Sequence, residues 1–278
     1  PLGVCAGIGA WDYPMQIACW KSAPALAAGN SFILKPSEET PLVAQKVAEL
    51  LQTAGLPDGL FQIIHGDRDI GAAICAHPGI AKISLTGGVE TGRLIMAQSA
   101  HSLKKITLEL GGKSPLLVFD DCDFNLGVQT ALDANFYTAG EVCSNATRVF
   151  VQRSIADNFI AALIAKAEAI RVGDPMVNHT QMGALISARH LAKVLNYIEF
   201  GVGEGATIAT GGQQLRPKGF ESGYFMQPTI LTNCKDNMRV VREEIFGPVM
   251  SVLIFDDEDE AVQRANDTDF GLGAGIMT

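Results

Sequence analysis

An α/β fold is what this sequence predicts, with a doubly wound parallel sheet first and a second α/β portion after it. Three observations point there. Apolar runs of strand length recur through residues 1–110, a stretch of helical length follows nearly every run, and Gly, Pro, Asn or Asp punctuate the joins. Elements alternating at that pitch pair as parallel strands through right-handed crossovers. Ligands of such sheets lie at the carboxyl ends of the strands, so the residues just after each strand are the first candidates for a site.

Residues 2–8 read as a buried strand ending in glycines, and 14–28 as a helix stopped by Gly29-Asn30. A strand over 31–35 leads into a turn at Pro36-Ser37-Glu38. Thr40 is expected to cap the next helix, with Pro41 at its first position, and that helix ends near Gly55-Leu56-Pro57. A strand at 61–65, a helix at 70–76, a strand at 81–85, a helix at 90–100 and a strand at 105–110 complete the first half. The second half is less regular. It reads as a strand at 116–119, helices at 126–135 and 155–170, a turn at Gly173-Asp174-Pro175, a helix at 188–197, a strand between glycines within 203–212, a strand at 250–255 and a helix at 258–266. The expected division is therefore a doubly wound α/β portion over 1–110 and a less regular α/β portion over 111–278.

Composition narrows the function classes. Of 278 residues 47% are apolar and 18% charged, which describes a globular chain with ample core. A net charge of −9 offers no basic patch to neutralise phosphates, so no nucleic-acid partner is expected. No apolar run reaches membrane-spanning length, and no membrane partner is expected. The six cysteines (5, 19, 75, 122, 143, 234) show no C-x-x-C spacing, which suits free thiols in a reducing, cytoplasmic setting. The five histidines lack metal-ligand spacing, and no metal is predicted. The chain starts at Pro1 directly on an apolar run and ends inside GLGAGIMT, so an internal fragment truncated at both ends is expected.

Two residues carry candidate chemistry. Glu109 closes a strand and borders the double glycine of Leu108-Glu109-Leu110-Gly111-Gly112-Lys113; Cys143 follows a helical segment among small and polar residues in Gly140-Glu141-Val142-Cys143-Ser144. A thiolate that attacks a carbonyl and a carboxylate that activates water are the parts needed to make and hydrolyse an acyl intermediate. A cysteine is more often a small buried hydrophobe, so the pair alone leaves both readings open. The same is true of Thr86-Gly87-Gly88-Val89-Glu90-Thr91-Gly92, which is either a nucleotide-binding turn that admits a pyrophosphate to a helix N-terminus or a simple tight turn. It is neither a Walker loop nor G-x-G-x-x-G.

Taken together, LELGGKSP and the GEVC segment resemble the aldehyde dehydrogenase superfamily, whose nucleophile signature reads like GQxC. The resemblance covers residues 1–278. Through GIGAWDYP, IACWKSAPALAAGN, NATRVFVQR and EEIFGPVMSVL the chain is most similar to its betaine aldehyde and aminoaldehyde (trimethylaminobutyraldehyde) branch. This resemblance implies NAD-dependent oxidation of an aldehyde, betaine aldehyde by expectation, through a thiohemiacetal and a thioester on Cys143, with Glu109 activating the water. It also implies a small-molecule, cationic substrate and a homo-oligomer. The alternatives are an aminoaldehyde or aliphatic aldehyde dehydrogenase, a cofactor-free thiol hydrolase, or a catalytically impaired homologue.

The resemblance extends to further positions. Lys35 and Glu38 match the family's K-P-x-E residues that hold the adenosine ribose, and an acidic residue there favours NAD over NADP. Gly88 stands where the family turn carries serine. Cofactor contacts are also implied at Ile8, Gly9, Ala10, Trp11, Ser37, Gly66, Gly71, Thr86, Gly87, Gly92, Glu109, Leu110 and Gly111, with Glu244 on the nicotinamide ribose and Phe246 on the nicotinamide face. Lys21 matches a lysine near the proton path; read bare, it is a helix-surface charge. Asp12 replaces the family asparagine that donates to the oxyanion, and a carboxyl there must stay protonated to donate, through burial and a nearby Glu109 or Glu141. Trp11, Tyr13, Phe136, Tyr137 and Glu141 are candidates for a cationic-substrate pocket.

Overall fold

The computed structural model describes residues 1–278, which form two compact units, Pro1–Gly111 and Gly112–Thr278. The first unit alternates β1 (Val4–Ile8), α1 (Pro14–Ala27), β2 (Ser31–Lys35), α2 (Pro41–Thr53), β3 (Phe61–Ile63), α3 (Arg68–Ala76), β4 (Ile80–Thr86), α4 (Val89–Ala100) and β5 (Lys105–Glu109). Its sheet runs in the order β3-β2-β1-β4-β5, and every pair is parallel. Strand order reverses on either side of β1, which is the mark of a doubly wound sheet.

Both faces of this sheet are covered, which is why its strands read as continuous apolar runs rather than alternating ones. Cys5, Phe32 and Leu34 pack on one face with Ala18 of α1 and Ala44 and Val47 of α2. Ala6, Ile8, Ile83 and Leu85 pack on the other with Ile74 of α3 and Ile95 of α4. Helix α1 ends as the Gly29-Asn30 signal requires: Gly29 takes φ +77° and its N–H bonds to Leu26 O, while Asn30 N–H bonds to Ala25 O. Thr40 differs from expectation. It occupies the N-cap position of α2, but its side chain makes no capping bond and its hydroxyl is buried without a partner; Pro41 and the fixed backbone begin the helix instead.

The second unit contains β6 (Pro115–Val118), α5 (Phe124–Phe136), β7 (Arg148–Gln152), α6 (Ala156–Glu168), α7 (Ala188–Gly203), β8 (Thr207–Thr210), β9 (Gln214–Leu215), β10 (Phe225–Met226), β11 (Thr229–Thr232), α8 (Arg239–Arg242), β12 (Val249–Phe255), α9 (Glu258–Asn266) and β13 (Gly275–Met277). Six of these strands form a sheet in the order β13-β6-β7-β12-β11-β8, parallel except for β8 against β11. Strand β7, to which the sequence reading assigned no element, lies inside this sheet with Val149, Phe150 and Val151 fully buried. Burial of side chains of this size contributes about 1.5–3 kcal/mol each. Helix α7 runs past its expected end at 197, through two glycines. Gly201 allows α8 to approach, since a Cβ there would lie 2.8 Å from Val240 Cγ1. No helix is long and apolar enough to cross a membrane.

Candidate active site

In the first unit the register of the sheet gathers the expected cofactor residues along one edge. Ile8 pairs with Lys35 and with Leu85, and Thr86 pairs with Glu109, so the carboxyl ends of β1, β2, β4 and β5 are level. Gly9 N–H bonds to Lys35 O at 2.9 Å, and Gly87 N–H to Glu109 O at 3.0 Å. The Lys35 ammonium is buried, donates to Pro36 O at 3.0 Å and lies 3.5 Å from the exposed Glu38 carboxylate. Ser37 is buried, and Ser37 Oγ accepts from Glu39 N–H. Gly71 lies beside the Lys35 stem, while Gly66 (φ +151°) packs on Ile70.

Gly88 is the N-cap of the twelve-residue α4 and has open space where a Cβ would point. Gly92 is packed on Leu110, a Cβ there falling 2.8 Å from Leu110 Cδ2. An open helix N-terminus after β4 beside small residues, with a buried lysine and an exposed carboxylate at the end of β2, fits the phosphates and ribose of a dinucleotide.

Two side chains on this unit carry perturbed protons. Asp12 follows β1; its Oδ1 is buried with no hydrogen-bond partner. Burial raises its pKa, and the backbone N–H groups of Asp12 and Tyr13 pull the other way. Within this unit the upward shift comes from burial and not from the Glu109 carboxylate. Lys21 is not a surface charge. It is 7% exposed, its Nζ donates to Ser84 Oγ at 3.0 Å, and burial lowers its pKa to about 8 against a smaller upward pull from Glu109. Glu109 itself is exposed at the end of β5.

In the second unit three separated motifs converge on Gly112. Its N–H donates to Glu244 Oε1 at 3.0 Å, and a Cβ on it would lie 2.5 Å from the carbonyl oxygen of Cys143. Glycine is thus the residue that lets the Cys143 backbone pack against this segment. Cys143 is half-buried and the next residue, Ser144, is exposed. Asn135 of α5 fixes the chain beyond the thiol, donating from Nδ2 to Ala131 O and Ala146 O. Arg148 opens β7 and is buried, donating to Lys113 O, Arg264 O and Ala265 O. Lys113 is fully buried with no partner for Nζ, and burial lowers its pKa to about 7.

Backbone strain is concentrated around these motifs. Thr138, Ala139 and Gly140 adopt φ of +52°, +54° and +73° just before Cys143, and Phe246 adopts +63°. A left-handed non-glycine residue costs roughly 1–2 kcal/mol and persists only where its surroundings impose it. Phe246 O accepts from His190 Nε2 at 2.6 Å. His190, Arg148, Lys113 and Asn135 had no role in the sequence reading. The visible signals were an arginine opening an apolar run and a lysine after a double glycine.

Two expectations change. Phe136 belongs to the core at 3% exposure and cannot line a pocket, whereas Tyr137 is exposed. Glu141 is buried and its Oε1 accepts from Ile186 N–H at 3.1 Å, so it is a loop anchor before it is a cation receptor. The thiols of Cys5, Cys75, Cys122 and Cys234 are pushed up by burial, and all six cysteines are free. No group of three His, Cys, Asp or Glu is placed to hold a metal ion.

Comparison with known proteins is consistent across the chain. The aldehyde dehydrogenase family model matches residues 1–278. The betaine aldehyde dehydrogenase of Vibrio vulnificus (strain YJ016) is 57% identical over 278 residues, covering 100% of this chain and 57% of that protein. A crystal structure of betaine aldehyde dehydrogenase from Staphylococcus aureus in complex with NAD+ superposes with a TM-score of 0.98 at 43% identity, covering 100% of this chain and 56% of that one. An E. coli NADP-dependent enzyme superposes with a TM-score of 0.96 at 39% identity, covering 100% and 57%. The chain spans a little over half the length of these relatives.

Proposed function

Because this chain belongs to the aldehyde dehydrogenase family, we propose that it carries the chemistry of an NAD-dependent oxidation of betaine aldehyde to the carboxylate. Residues 1–110 are the NAD-binding domain and 111–278 the catalytic domain. The observation that supports this most is the convergence on Gly112 of the glutamate, cysteine and EEIFGP motifs. The full-length protein acts as a cytoplasmic homo-oligomer on a small aldehyde.

Cys143 Sγ, as thiolate, attacks the aldehyde carbon and forms a C–S bond; the carbonyl π electrons move to oxygen as a thiohemiacetal oxyanion. The Cys143 N–H donates to that oxyanion, and Asp12 adds a second donor only in the molecules whose carboxyl is protonated. NAD, when bound, supplies the acceptor for the hydride that leaves the thiohemiacetal carbon. The resulting thioester on Cys143 is cleaved by a water that Glu109 deprotonates, giving the acid and restoring the thiol. Lys21, with its proton held near neutrality, takes part in returning that proton to solvent. Lys35, Ser37 and Glu38 hold the adenosine ribose, and residues 8–11, 66, 71, 86–88, 92 and 109–111 approach the cofactor. Glu244 holds the nicotinamide ribose and Phe246 covers the ring.

NADP is the competing cofactor, and the similarity to an NADP-dependent enzyme gives that reading weight. Glu38 speaks for NAD: its carboxylate stays beside Lys35 and leaves no unpaired cation there for a 2′-phosphate. The deciding experiment is a specificity profile of the full-length protein over betaine aldehyde, aminoaldehydes and aliphatic aldehydes with each cofactor. Preference for betaine aldehyde with NAD is expected; preference for another aldehyde class, or for NADP, overturns the corresponding part.

A further inference from the structure

Helix α7 carries a clasp between the two loops of the second unit that flank its functional motifs. His190 lies in the first turn of α7, where Ser187 Oγ accepts its backbone N–H. Its imidazole is half-buried, with Nε2 2.6 Å from Phe246 O and 3.7 Å from Glu141 Oε1. The ring meets the Phe246 ring edge-on, with centroids 6.2 Å apart. One helical turn later Val194 packs against Gly247, where a Cβ would lie 2.6 Å from Val194 Cγ2, and Lys193 Nζ donates to Glu244 O at 3.4 Å. On the far side the two loops touch directly. A Cβ on Gly140 would lie 2.3 Å from the carbonyl carbon and oxygen of Gly247.

From this geometry we propose that His190 is a positioning residue that holds the Phe246 peptide beside the loop of Glu141, and so sets where Phe246 and Cys143 stand relative to each other. The inference rests on the roles proposed above for those two residues. A carbonyl only accepts, so His190 Nε2 carries hydrogen in both the neutral and the protonated ring. The clasp on Phe246 therefore does not depend on the protonation state of His190. Removal of the donor takes away the 2.6 Å bond that His190 makes to the carbonyl of a left-handed residue, a conformation that persists only where neighbours impose it. The loop is then free to relax, and with it the ring proposed to cover the nicotinamide and the anchor two residues before the thiol.

The test compares wild type, His190→Leu and His190→Gln in the full-length protein; leucine keeps the bulk without the donor, and glutamine keeps a donor. Two readouts separate this inference from the reading it rests on. The first needs no substrate or cofactor: the rate of alkylation of Cys143 by iodoacetamide, followed by peptide mass mapping. His190→Leu is expected to change it at least about threefold, and His190→Gln to return it close to wild type. The second is single-turnover NADH formation, expected to slow by about tenfold or more in His190→Leu with NAD affinity changed less than about threefold, and to recover in His190→Gln. Unchanged alkylation in His190→Leu, or equal impairment in both variants, overturns the clasp. Failure of wild type to form NADH, with alkylation still responding as stated, overturns the proposed function and leaves the clasp supported.

Discussion

Replacement of Asp12 by asparagine bears on the one place where the chain departs from its family at a group expected to touch the reacting oxygen. Asp12 Oδ1 is buried without a partner, and burial raises the carboxyl pKa above the ordinary 3.8. Protonated, Asp12 donates to the oxyanion as an amide does; ionised, it offers no donor and repels the developing charge. Loss of one oxyanion donor costs about 2.7–4 kcal/mol, roughly a hundred- to thousand-fold in rate. Because the folded pKa is raised, the donor is present below that value and is lost as pH rises through it. Asp12→Asn should therefore accelerate thioester formation above the folded pKa of Asp12, and the gain should grow with pH to at least about tenfold.

Stability follows the same sign. The folded state holds the Asp12 proton more tightly than the unfolded chain, so the carboxyl's contribution is complete below the ordinary 3.8 and is lost as pH rises through the folded value. Asp12→Asn should melt higher than wild type at neutral pH. The assay is stopped-flow single-turnover NADH formation in the full-length protein from about pH 6 to about pH 9. Equal rates for both proteins across that range would refute the reasoning and remove position 12 from the oxyanion site.

Cys143→Ala should abolish turnover while NAD affinity, measured by calorimetry, stays within about threefold of wild type, because the expected cofactor residues on 8–111 are untouched. Glu38→Gln should narrow the preference for NAD over NADP, chiefly through tighter NADP binding; an unchanged ratio of the two kcat/KM values removes Glu38 from the ribose site. Lys113→Met should flatten the pH dependence of the melting temperature. The folded chain gives up that proton at about 7 and the unfolded chain holds it to 10.5, so the Lys113 contribution to stability rises with pH between those values and is absent from the variant.

The first sheet was legible because helices cover both its faces, so each strand had to be apolar throughout, and Cys5 to Ile8 or Ile83 to Leu85 show it. Strand β7 was missed because Arg148 heads it, and an arginine there signals a loop until its three carbonyl partners are seen. Strands β11 and β13 span only a few residues, too short for a periodic pattern. At the site, Glu109 and Cys143 stood out by their motifs, and Gly112 and Gly140 by composition alone. Why those two must be glycine depends on the approach of Cys143 O and of Gly247, contacts distant in sequence. His190 was not legible. Its acceptor is the carbonyl of a phenylalanine in a left-handed conformation, which nothing in a sequence announces.

The central claim, that Cys143 carries a thioester which Glu109 hydrolyses, is tested most directly by trapping. Full-length Glu109→Gln is mixed with NAD and betaine aldehyde, quenched in acid and mapped by peptide mass spectrometry. The account predicts one equivalent of NADH in a fast phase and the acyl mass on the peptide that contains Cys143, with slow release afterwards. An unmodified Cys143 peptide after NADH has formed, or an acyl group on any of the other five cysteines, would contradict it.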